Sequence, residues 1–128
     1  MRYLLDTHSL IWFLAGDERL SLNARKIIEN EENIIFISIA SLWEISIKSS
    51  LGKLELIKPF EILFPQQLQE NEIEIIGIKV EHLIVLSKLP FHHRDPFDRL
   101  IIAQAMVENV AIISKDSLFA LYEVQLLW

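Results

Sequence analysis

Short apolar runs alternate along this chain with segments of helical pattern, and that alternation limits the fold more than any other feature. Tyr3–Leu5, Asn33–Ser38, Ile73–Ile78, Val110–Ser114 and Val124–Trp128 read as strands. Several of them are near-continuous Ile, Val, Leu or Phe, the composition of strands covered on both faces. Between them, Ser9–Ala15 reads as a buried helix stopped by Gly16. Ser21 caps a second helix running to about Asn30, with Leu22, Ile27 and Ile28 turned inward. Ala40–Ser50 forms a third, ended by Gly52, and Glu81–Lys88, Pro96–Glu108 and the short Ser117–Tyr122 follow. Phe91–Asp95 is a polar loop bearing histidines, and Ile57–Gln69, broken by Pro59 and Pro65, shows no clear pattern. The alternation predicts one α/β domain over residues 1–128, with a central, mainly parallel sheet and helices on both faces.

Composition closes off several functions. The chain has no cysteine, which excludes disulfides, thiolate metal sites and cysteine nucleophiles. Its four histidines lack zinc-type spacing, and with 3 glycines it has no phosphate-cradling loop. The apolar run Leu10–Ala15 is too short to span a bilayer, and Asp6 interrupts the opening before a signal-peptide core can develop. These features point to a cytoplasmic protein that avoids membranes. A net charge of −6 argues against general clamping of nucleic acid. An acidic enzyme still acts on a polyanion if it binds metal ions. With 52% hydrophobic residues and a mean hydropathy of +0.32, some apolar surface is expected to be covered by a partner or a second copy.

In parallel α/β sheets, ligands bind beyond the carboxyl ends of the strands. Asp6 follows the first strand, Asp116 follows Val110–Ser114, Glu44 lies early in the helix after the second strand, and Asp98 opens the helix before Val110. The topology places all of them on one sheet edge. Each also has a plain structural reading. Asp6 and Asp116 are suitable helix N-caps. Asp98 is an acid favoured by the helix dipole, or a capping-box partner of Asp95. Glu44 shares a helical face with Ala40, Ile47 and Leu51, an expensive place for a charge without a partner. Together these acids repel each other unless a cation sits among them, and an oxygen-only set suits Mg²⁺ or Mn²⁺. An acid cluster without a nucleophilic Ser or Cys partner is what metal-assisted phosphodiester hydrolysis needs. Pro96 fits the first helical position, which makes Asp95 the cap and leaves Asp98 facing the sheet with Ile101, Ile102 and Ala105. His92–His93–Arg94 reads as a solvated loop in preference to a phosphate contact. Lys48, Lys53, Arg94, Arg99 and Lys115 are candidate contacts to RNA phosphates, or plain surface charges.

Four motifs in order then resemble a known family. Leu4-Leu5-Asp6-Thr7-His8-Ser9-Leu10-Ile11-Trp12 resembles the opening of PIN-domain proteins of the VapC toxin type. Ser38-Ile39-Ala40-Ser41-Leu42-Trp43-Glu44-Ile45 is similar to their second motif. His92-His93-Arg94-Asp95-Pro96-Phe97-Asp98-Arg99-Leu100-Ile101-Ile102-Ala103-Gln104-Ala105 is similar to the third and most distinctive, and Ile113-Ser114-Lys115-Asp116-Ser117-Leu118-Phe119 to the fourth. The resemblance implies a PIN-like domain and a metal-dependent endoribonuclease acting on single-stranded RNA, the toxin of a toxin–antitoxin pair. It implies Asp6, Glu44, Asp98 and Asp116 as the catalytic and metal-holding acids, with Asp6 and Asp98 the firmest ligands. Thr7 and Ser114 become supporting hydroxyls, and a homodimer inhibited by an antitoxin is expected. Ser114 stands where the family often has Thr, and Leu51–Gln69 matches no motif. Two alternatives stay open: a receiver-like phosphoacceptor domain, and a catalytically silent module that keeps only the fold. Lys79 after the third strand, where a receiver needs its phosphoacceptor Asp, argues against the first, and the intact acids against the second.

Overall fold

The computed structural model describes residues 1–128 and contains five parallel strands. These are β1 (Arg2–Leu5), β2 (Ile34–Ser38), β3 (Ile73–Ile76), β4 (Ala111–Ile113) and β5 (Leu126–Leu127), in the order β3-β2-β1-β4-β5. Strand order changes sense between β1 and β4: from β1 the chain steps outward to β2 and β3, and from β4 it steps the other way to β5. Crossovers therefore leave β1 and β4 on opposite sides, and a crevice opens at their carboxyl ends. The register sets Leu5 beside Ile113 and Ile37, so Asp6 and Ser114 emerge side by side.

Side chains alternate between the two faces, and the strands build two cores. Tyr3, Leu5, Ile35, Ile37 and Ile113 pack with Leu10 of α1 (Thr7–Ala15), Ala24 and Ile28 of α2 (Leu22–Glu29) and Leu42 and Ile45 of α3 (Ile39–Ser50). Leu4 and Ile112 face the other way, onto Ile101, Ile102 and Ala105 of α7 (Pro96–Glu108). Between α3 and β3 lie α4 (Phe60–Leu63) and α5 (Gln66–Glu70), and α6 (Val80–Lys88) precedes α7. The unpatterned 57–69 stretch thus holds two short helices, each beginning just after a proline. A proline at a helix start gives up an N–H that would have no partner there, and a segment this short carries too few turns to show a period.

Other sequence expectations shift. Leu22 is 68% exposed, and Ala24 with Ile28 forms the inner face of α2. The third strand stops at Ile76 and lies at the sheet edge, where Glu74 and Ile75 are exposed. Ser117–Leu121 is a 3₁₀ turn, and the last strand shrinks to Leu126–Leu127. Gly16 ends α1 in the left-handed region at φ +64°, which a glycine adopts at little cost. No helix is long and apolar enough to cross a membrane.

Candidate active site

Each predicted acid sits beside the crevice. Asp6 is the N-cap of α1: its Oδ1 accepts from the Ser9 N–H at 2.8 Å, and its Oδ2 accepts from the Ser114 hydroxyl at 2.6 Å. Capping and site-building are therefore the same contact, because α1 starts where β1 ends at the crevice. Asp6 is buried, which raises its pKa above the ordinary carboxylate value, although the Ser114 and Ser9 hydrogen bonds pull it back.

Glu44 is 3% exposed. Thr7 Oγ1 donates to its Oε1 at 2.7 Å and lies 2.9 Å from Ser41 Oγ, and Lys48 Nζ donates to its Oε2 at 2.6 Å. The apolar stripe expected around Glu44 is only partial, since Ile47 is half-buried and Leu51 exposed. What holds the charge is the Lys48 ion pair, one helical turn away on the same face. Lys48 is consequently no free phosphate contact, and its own pKa is raised by the hydrogen bond to Glu44.

Asp98 occupies the first turn of α7. Asp95 caps that helix by accepting from the Phe97 N–H at 2.8 Å, with Pro96 in the first turn and no bond back from Asp98. Asp98 is pushed up to about 7, first by burial, then by the like charges of Asp95, Glu44 and Asp6, against a lowering from His93. No hydrogen bond to its carboxylate offsets this. Asp116 caps the 3₁₀ turn through Oδ1, which accepts from the Leu118 N–H at 3.0 Å. Its backbone N–H donates to Ser114 Oγ at 3.0 Å, so one hydroxyl ties the loop after β4 to Asp6.

The structure also brings in residues that sequence reasoning placed elsewhere. His93 is buried, not solvated, and its Nε2 lies 2.8 Å from Asp116 Oδ2. Ligand atoms of His93, Asp98 and Asp116 lie within 4.8 Å of one another. The burial of His93 depends on Phe119 and Tyr122, far away in sequence, so only its place in the third motif hinted at a role. Arg99 is buried too. Its guanidinium donates to the carbonyls of Leu86, Leu89 and Pro90 and lies 4.0 Å from the Phe91 ring centroid, which removes it from the phosphate candidates. Arg94 and Lys115 remain exposed beside the site.

The donor set fits a hard divalent cation. Asp6, Glu44 and Asp116 each have both carboxylate oxygens anchored by hydrogen bonds, while Asp98 is crowded by like charge and unpaired. Oxygen-rich sites of this kind suit Mg²⁺ or Mn²⁺. A receiver-like fold is ruled out. No carboxylate follows β3, and the strand order differs from the 2-1-3-4-5 order of such domains.

Comparison with known proteins identifies the family and the fold. Residues 3–124 match the family model of the PIN domain. Ribonuclease VapC22 of Mycobacterium tuberculosis is 31% identical over 114 residues, covering 88% of this chain and 85% of the relative. The fold is similar to that in the crystal structure of VapBC2 from Rickettsia felis bound to a DNA fragment from their promoter. That match has a TM-score of 0.73 at 20% identity and covers 100% of this chain and 99% of the other. It is also similar to the structure of VapBC-1 from nontypeable Haemophilus influenzae, with a TM-score of 0.66 at 17% identity and 99% and 97% of the two chains covered. With the family model spanning nearly the whole chain and the acids gathered at the β1–β4 crevice, the chain belongs to the PIN-domain family.

Proposed function

We propose that the chain is a Mg²⁺- or Mn²⁺-dependent endoribonuclease that cleaves single-stranded RNA and serves as the toxin of a toxin–antitoxin pair. The observation that carries this reading is Asp98, unpaired, with a ligand atom within 4.8 Å of one on Asp116 and crowded by the charges of Asp6 and Glu44. Asp6, Glu44, Asp98 and Asp116 are the acids that would hold the ion. A bound ion supplies a water of lowered pKa, polarises the phosphoryl oxygen and offsets charge on the leaving oxygen. The chain's own contribution is orientation. Ser9 and Ser114 fix Asp6, Thr7 and Lys48 fix Glu44, and the Leu118 N–H fixes Asp116, so little reorganisation is left for the reaction. Exposed Arg94 and Lys115 are placed to contact the RNA backbone.

Kinship with Ribonuclease VapC22 supports the ribonuclease assignment, and the VapBC assemblies among the structural neighbours support an antitoxin partner. An apolar groove lined by Ile39, Leu42, Trp43, Phe60, Pro65 and Ile75 offers such a partner a seat. A cytoplasmic site of action belongs to the same proposal. Purified protein is expected to cut single-stranded RNA with Mg²⁺ or Mn²⁺ and to stop in EDTA. Undiminished cleavage in chelator rejects the metal mechanism, and no cleavage under any metal favours a silent binding module.

A further inference from the structure

His93 stands outside the carboxylate set, yet its side chain is only 6% exposed, against 38% for Asp116, the acid it touches. The ring stacks on Phe119 and Tyr122, with centroids 4.8 and 5.6 Å away. Its Nε2 lies 2.8 Å from Asp116 Oδ2, and its Nδ1 lies 3.3 Å from the Tyr122 hydroxyl. That hydroxyl also accepts from the His93 backbone N–H at 3.0 Å and donates to the Pro90 carbonyl at 3.3 Å.

The clustering of His93, Asp98 and Asp116 invites a site in which all of them bind the ion. The hydrogen bonds decide against that. A carboxylate oxygen accepts, so we read the 2.8 Å contact as Nε2–H of His93 donating to Asp116 Oδ2. A ring nitrogen that carries hydrogen has no lone pair for a cation. Its Nδ1 lies against the Tyr122 hydroxyl, whose own hydrogen goes to the Pro90 carbonyl. His93 is therefore a donor to Asp116. Asp116 needs one, because its other anchor is an N–H of a short 3₁₀ turn, a weakly bonded element.

Resting on the metal-nuclease reading above, we propose that His93 is a positioning residue. Its Nε2–H holds Asp116 in the orientation that completes the cation site, and Tyr122 holds the His93 ring and backbone in place through its stack and hydroxyl. Two measurements test this. In metal-free protein, ¹⁵N NMR of the imidazole is expected to show hydrogen on Nε2 of His93. An Nδ1–H tautomer overturns the proposal whatever becomes of the nuclease reading. Titration with Mn²⁺ alone, followed by the EPR signal of the free ion, then gives the affinity. His93→Ala is expected to weaken Mn²⁺ binding about 10-fold or more, as removal of such outer partners does. His93→Gln, whose amide N–H stands near the Nε2 position, is expected to recover most of it. Tyr122→Phe, which keeps the stack and loses the hydroxyl, is expected to fall between. These two variants keep the test available if His93→Ala does not fold. Native affinity in all three variants overturns the positioning role alone. Glutamine as weak as alanine, with nitrogen hyperfine coupling on Mn²⁺ in the native protein, overturns it in favour of direct ligation. Native protein that binds no Mn²⁺ overturns the cation site itself, and the proposal with it.

Discussion

Asp98 illustrates how a single carboxylate is made dependent on its surroundings. With its pKa raised from 3.8 to about 7, the metal-free folded state keeps a proton there that the unfolded chain has already released. Folded protein thus binds more protons between about pH 4 and 7, and stability falls as pH rises through that window. Asp98→Asn removes the penalty. In EDTA it is expected to match native stability near pH 4 and to exceed it by about 1–2 kcal/mol at pH 8, the full linkage being discounted for partial exposure. Urea unfolding at the two pH values measures this, and a gain that does not grow with pH refutes the crowding argument. The same variant is expected to cleave no RNA. Asp6 is different, because its oxygens already serve Ser9 and Ser114. Asp6→Asn keeps a capping oxygen, so cleavage is expected to vanish while the melting temperature holds or rises. A large fall in melting temperature marks Asp6 as structural only.

Among the elements, α7 carries the division of labour between cap and site. Asp95 holds the Phe97 N–H and Pro96 opens the helix, so the first turn starts where Asp98 must face the crevice. Arg99, one residue further, gathers the carbonyls of Leu86, Leu89 and Pro90 and so fixes the loop that delivers His93. Asp95→Ala is expected to lower stability by about 1 kcal/mol, as loss of a cap does, and to leave much of the cleavage intact. Part of that loss is offset, since Asp95 is also the largest like charge acting on Asp98. Calorimetry with a parallel cleavage assay checks both. An inactive Asp95→Ala beside an active Asp98→Asn means the two roles are reversed.

On the scale of the whole molecule, much apolar surface stays open. Val80, Leu83 and Ile84 of α6 and Phe91 after it are 72%, 47%, 52% and 82% exposed, and Trp43 on α3 is 59% exposed. Neighbouring apolar side chains left in water favour association. Sedimentation at micromolar concentration is expected to show a dimer. A strict monomer that binds no hydrophobic dye removes this argument.

The strands and helices were legible in the chain because apolar runs and helical periods are local properties, and so were Asp95 as a cap and the acids Asp6, Glu44, Asp98 and Asp116 as strand-end or helix-start residues. Their meeting was not local. It depends on strand order, which sets β4 beside β1 and so brings Ser114 to Asp6 across most of the chain. Partner choice was equally hidden. Lys48 and Arg99 looked like free cations, and His93 like a loop residue, because burial and hydrogen bonding arise from residues distant in sequence. Short segments gave the weakest signal, as in α4, α5 and β5, since a few residues do not complete a period and tertiary packing decides their state. Residue types and their order were determined by the sequence, and which charge is neutralised, by whom, was decided only when the sheet brought them together.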